Sequence, residues 1–106
     1  MYTISSISDL FEWVSLKKDK VITYTIESTN GMICTTNSMV VKNVGFHRIT
    51  EKGEYINISG IDATYKLDTG TNLSINNDGD CEIEIKYFNR YDIYQVKTNN
   101  MILYIS

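Results

Sequence analysis

From Val21 onward the chain alternates apolar and polar residues with a period of two, in runs rich in Ile, Val, Thr and Tyr punctuated by clusters of Asn, Gly and Asp. Successive side chains of a strand point to opposite sides, so this alternation specifies strands with one face toward a core. Before Val21 the period differs. Ile7, Leu10, Phe11 and Val14 follow the i, i+3, i+4, i+7 spacing of one helix face, and Trp13 widens the stripe. Ser6 and Asp9 have the spacing of a capping box with the shorter acid, and Lys17 and Lys18 suit the negative end of the helix dipole. The pattern predicts one helix over about 7–16, followed only by strands and turns.

The turns fix registers, because a one-residue slip turns every side chain to the wrong face. Asn30-Gly31 as a two-residue loop places Ile26 opposite Thr35 and Ile22 opposite Met39. A three-residue loop over Asn77-Asp78-Gly79 pairs Ile75 with Cys81 and Leu73 with Ile83. A two-residue loop at Asn89-Arg90 sets Ile83 against Val96, Ile85 against Tyr94 and Glu82 against Lys97. Asn99-Asn100, which tolerate positive φ, then align Val96 with Leu103 and Tyr94 with Ile105. The expected result is a meander over about 72–105, its buried face built from Leu73, Ile83, Ile85, Tyr94, Val96, Leu103 and Ile105. Lys52-Gly53 joins two further strands without choosing between loop lengths, and Ile61, Ala63, Tyr65 and Leu67 alternate as one more.

With 106 residues there is room for one core, and neither a linker nor an internal repeat divides the chain, so residues 1–106 read as a single domain. The expected fold is α+β and mainly antiparallel β: one N-terminal helix packed on a small sandwich or partly open barrel of seven or eight strands, ending in a β-meander.

The formal charge of −3 gives no global attraction to phosphate, so nucleic acid is not an expected partner. No apolar run reaches a membrane span and no signal-peptide pattern opens the chain, which points to the cytoplasm, or the host cytoplasm for a phage-encoded protein. Cys34 and Cys81 read as small apolar strand residues. Asn57-Ile58-Ser59 and Asn72-Leu73-Ser74 match the glycosylation pattern but, without a secretion signal, read as chance.

Asp68-Thr69-Gly70, between Leu67 and Thr71, resembles the catalytic signature of the pepsin-like and retroviral aspartic proteases. The resemblance implies two carboxylates sharing a proton and a flap over the substrate. It covers only these few residues, and in the retroviral family the signature lies in the first third of the chain. Here 36 residues follow Gly70 and already read as the meander, so the segment is a tight turn.

The acidic run Asp78, Asp80, Glu82, Glu84 lacks calcium-loop spacing, and His47 is the only histidine, too few ligands for zinc. His47 with Cys34 or Cys81 has no accompanying oxyanion motif. No cofactor, metal or enzymatic activity is expected. The eight tyrosines are spread along the strands without interleaved Lys or Arg, as strand formers rather than base-stacking platforms.

The outer face of the meander carries Phe88, Tyr91, Ile93, Ile102 and Tyr104, with Glu82, Glu84 and Arg90 beside them. Either a second β layer or the helix buries these residues, or a partner does. The resulting expectation is a noncatalytic protein-interaction module, an inhibitor or accessory protein of the kind encoded by phages and mobile elements. Self-association is compatible with it. A small-ligand binder and a minor structural component of a larger assembly are the alternatives.

Overall fold

The computed structural model describes residues 1–49, 53–64, 69–78 and 83–106. In chain order its elements are β1 (Thr3–Ser5), α1 (Ile7–Ser15), β2 (Val21–Ser28), β3 (Cys34–Ile49), β4 (Gly53–Asp62), β5 (Gly70–Asp78), β6 (Glu84–Phe88), β7 (Ile93–Lys97) and β8 (Met101–Ile105). The expected α+β class holds. All eight strands belong to one antiparallel sheet of order β1-β6-β7-β8-β2-β3-β4-β5.

Helix α1 starts where its capping signal lies. Ser6 Oγ accepts from the Asp9 backbone N–H at 3.1 Å, and Asp9 Oδ2 accepts from the Ser6 N–H at 2.9 Å, satisfying two N–H groups that the first helical turn leaves without intrahelical partners. Ile7, Leu10 and Val14 are buried, while Phe11 and Trp13 pack along the margin of the core. Lys17 and Lys18 fall beyond the last turn, and Lys17 instead pairs with Asp92.

The sheet consists of two meanders, β2–β5 and β6–β8, joined where β8 pairs with β2. β6 lies six inter-strand spacings from β5, about 29 Å if the sheet were flat. The chain from Asp78 to Glu84 reaches only about 21 Å when fully extended. The sheet therefore has to curl. Its curl shows at Tyr24 of β2 and Thr71 of β5, whose hydroxyls lie 3.5 Å apart although β3 and β4 separate their strands. A single curled sheet of this kind is the partly open barrel rather than the two-sheet sandwich. Ile22, Met39, Val41, Ile56, Ile58 and Ile105 fill its interior with no exposed surface. Helix α1 bridges the interior, with Phe11 against Phe46 of β3 (centroids 5.5 Å) and Trp13 edge-on to Tyr94 of β7 (5.2 Å).

Two turn-derived registers are observed as expected: Ile26 opposite Thr35 with Ile22 opposite Met39, and Val96 opposite Leu103 with Tyr94 opposite Ile105. Two others are corrected. β5 does not pair with β6 but with β4, so Leu73 faces Ile58 and Ile75 faces Ile56, and the C-terminal meander contains only β6–β8. The β6–β7 loop has four residues, not two, because Asp92 takes the left-handed position at φ 54°. Ile85 consequently faces Val96, and Glu84 rather than Glu82 stands opposite Lys97. A shift of two residues preserves the faces. Six of the seven expected core residues are buried and Ile83 is partly buried against them.

The strand expected over Ile61 to Leu67 is not separate at its start: Ile61 belongs to β4, while Tyr65 and Leu67 lie outside the described residues. Cys34 is exposed rather than buried, at the start of β3 beyond the core, and Cys81 lies outside the described residues.

Candidate functional site

The alternation of β6–β8 sends Ile85, Tyr94, Val96, Leu103 and Ile105 inward. Phe88, Ile93, Ile102 and Tyr104 therefore face outward, each half-buried by its neighbours on the sheet. Phe88 pairs in register with Ile93, Tyr104 with Gln95, and Ile102 with Lys97. The Gln95 side-chain amide donates to the Tyr104 hydroxyl at 3.3 Å, giving that phenol a partner without covering its ring.

Strand β1 extends this face, which the sequence did not reveal. Pairing of Ile4 with Lys86 sets its side chain outward and 65% exposed, and the Tyr2 ring lies 5.8 Å from that of Phe88. Lys86 holds its ammonium 4.6 Å from the Tyr2 ring centre and 3.3 Å from the Glu84 carboxylate. The alternation of Tyr2 and Ile4 immediately before the helix cap is the only sequence trace of this strand. A three-residue edge is too short to signal by itself.

The expected site residues divide into three groups. Phe88, Ile93, Ile102 and Tyr104 share the outward face with Glu84. Tyr91 and Arg90 lie in the β6–β7 turn, not on the sheet, with the Arg90 guanidinium 5.7 Å from the Tyr91 ring centre and Tyr91 65% exposed. Glu82 lies outside the described residues. The helix packs on the opposite, inward side, so no second layer covers this outward face among the described residues.

Asp92 anchors the turn. Its carboxylate accepts from Trp13 Nε1 at 2.8 Å, the Tyr87 hydroxyl at 2.5 Å and Lys17 Nζ at 3.2 Å, tying α1 to the edge of the aromatic face. Hydrogen bonds from Tyr87 and Trp13, helped by the Lys17 charge, hold the Asp92 carboxyl below the usual range against the opposing effect of burial. The bond to Asp92, reinforced by burial and by the carboxylate's charge, pushes Tyr87 up to about 12.

The remaining reactive groups are dispersed. Cys34 and His47 stand near opposite ends of β3, too far apart to act on one another. Among the described residues, His, Cys, Asp and Glu form no group of three suited to a metal ion. Asp68, the carboxylate of the Asp-Thr-Gly segment, lies outside the described residues, and Gly70 begins β5. No described helix is long and apolar enough to cross a membrane. No family model matches the chain, and no curated protein or solved structure is significantly similar to it.

Proposed function

We propose that this protein is a noncatalytic protein-interaction module that docks a partner on the outward face of β1, β6, β7 and β8. One observation carries the reading: Tyr2, Ile4, Phe88 and Ile93 group at one end of this face, Tyr104 and Ile102 follow beyond Gln95 and Lys97, and no described element lies over them. Aromatic and apolar groups interleaved with polar ones mark interaction sites, and aromatic residues supply contact area while their hydroxyls keep polar partners. The flanking charges, Glu84 with Lys86 and Lys97, tune partner choice and encounter rate more than final affinity. The dispersal of the reactive groups among the described residues fits an inhibitor or accessory protein. The proline-free, Ile- and Asn-rich composition fits an AT-rich phage or mobile-element genome.

The test begins with affinity capture from the native host and continues with the purified partner. Tyr104→Ala and Tyr2→Ala, each folded by circular dichroism, are expected to lose about 30-fold in affinity, the effect of a ~2 kcal/mol hot spot. If both bind the partner like the parent, this face is not the docking surface.

A further inference from the structure

We propose that a second surface, the outward face of β3, β4 and β5, binds a neutral oligosaccharide. Cross-strand register builds it in three rows. Asn43, Ser59 and Asn72 form the first. Gly45, Asn57 and Ser74 form the second. His47, Tyr55 and Asn76 form the third. On the inward side of the same strands, Ile56, Ile58, Leu73 and Ile75 lock the backbone into the core, so the rows stand on a rigid support.

The composition of the rows is selective. No Lys, Arg, Asp or Glu occurs in these three rows, the register bringing Asp78 only into the row beyond them, although a sheet face kept merely soluble ordinarily carries such charges. A phosphate-bearing ligand needs cations to replace its counterions, and these rows have none to offer. Asn amides and Ser hydroxyls instead both donate and accept, matching sugar hydroxyls that do the same. Ser74 Oγ donates to Asn57 Oδ1 at 3.3 Å, fixing the amide in the middle row.

The ends of the face supply what a polar sheet alone lacks. At one end the His47 ring stacks on Tyr55, with centroids 4.6 Å apart and planes 17° from parallel. Gly45 makes room for this arrangement, since a Cβ there would stand 3.1 Å from His47 Nε2. The imidazole thus leans toward the middle row, and the ring pair offers an apolar surface to the C–H face of a pyranose. At the other end, about 14 Å away along the strands, an open depression of ≈ 500 Å³ is lined by Ser59, Gly60, Ile61, Thr71 and Asn72 with Lys42 at its rim. The Lys42 ammonium is held by the Asp19 carboxylate at 3.0 Å, which offsets its charge at this border.

This surface and the aromatic face lie on different strands, so either assignment can fail alone. The test is titration of the ¹⁵N-labelled full chain with cellohexaose, chitohexaose, maltohexaose and laminarihexaose, with heparin and oligo(dT) as charged probes. One neutral hexasaccharide is expected to shift the side-chain amides of Asn57, Asn72 and Asn76 at millimolar concentration or below, leaving that of Gln95 unmoved. Exposed-site variants His47→Ala and Asn76→Ala are expected to keep the fold and weaken binding about tenfold. The proposal is overturned if none of the four sugars moves these amides, if only heparin or oligo(dT) does, or if both variants bind like the parent.

Discussion

Gly60 sits where the backbone of β3 comes close to β4. β3 carries a register irregularity between Val41 and Asn43, and opposite it a Cβ on Gly60 would fall 2.0 Å from the Val40 carbonyl oxygen and 3.2 Å from Val41 Cα. Both obstacles are backbone, so no rotamer change relieves them. Gly60→Ala should force β3 and β4 apart beside the buried Val41 and Ile58, at a cost of about 3 kcal/mol, the upper end of ordinary overpacking. A fall in urea midpoint at unchanged m-value checks this; a midpoint like the parent's would mean the strands separate freely. Gly31 has a different requirement, sitting at φ 75° in the β2–β3 turn with open space around it. Its role was legible in the Asn-Gly pair, whereas that of Gly60 depends on a strand twenty residues earlier in the chain.

At the scale of elements, α1 and the β6–β7 turn are joined by Asp92, and this joint should respond to pH. A carboxyl held below its usual range adds stability that is complete above about pH 4 and is lost as pH falls through the lowered value. Tyr87, raised from 10.0 to about 12, adds stability that is complete below pH 10 and is lost as pH climbs toward 12. Asp92→Asn should therefore lower stability at neutral pH, by about 1 kcal/mol once the solvent screening of this half-exposed carboxylate is allowed for. The gap from the parent should close in acid. Urea midpoints across the pH range test this, and a gap unchanged down to pH 2 would show that the carboxylate charge contributes nothing.

The same turn shows where local reading of the sequence stops. Asn30-Gly31 declares itself because Gly31 takes the positive φ its short loop needs, whereas Asn99-Asn100 keep the expected register with neither residue at positive φ. In the β6–β7 loop that position falls on Asp92, two residues beyond the Asn-Arg pair, and Asp accepts it at less steric cost than most residues. The error was even-numbered, so Phe88, Ile93, Ile102 and Tyr104 kept the outward face assigned to them from alternation. Tyr91 did not, having moved from strand to turn. Pairing of β5 was not recoverable by parity, because Leu73 and Ile75 suit Ile83 and Cys81 as well as they suit Ile58 and Ile56. The three neutral rows were hidden for the same reason, since they exist only once β5 lies against β4.

For the whole molecule, the decisive ladder is the one between β2 and β8. It runs from Tyr24 opposite Ile105 to Ser28 opposite Met101, and reciprocal 2.9 Å hydrogen bonds between Thr23 and Ser106 extend it. Ile105, completely buried, pairs with Tyr24 on one side and Tyr94 on the other. Removing residues 101–106 should therefore divide the sheet rather than trim it, and the shortened chain should show no cooperative thermal transition by circular dichroism. A cooperative transition near that of the parent would mean the two meanders associate without β8.

Because β8 is central in space but last among the strands in chain order, synthesis delivers the parts of this sheet in an unfavourable sequence. The β2–β5 meander leaves the ribosome while β2 still presents a naked edge and Ile22 and Tyr24 lack their eventual neighbours. An unpaired edge is a template for any other strand. The nascent chain is thus most open to aggregation, or to capture by a chaperone, in the interval before Met101–Ile105 emerges, and that interval closes in a single step when β8 inserts.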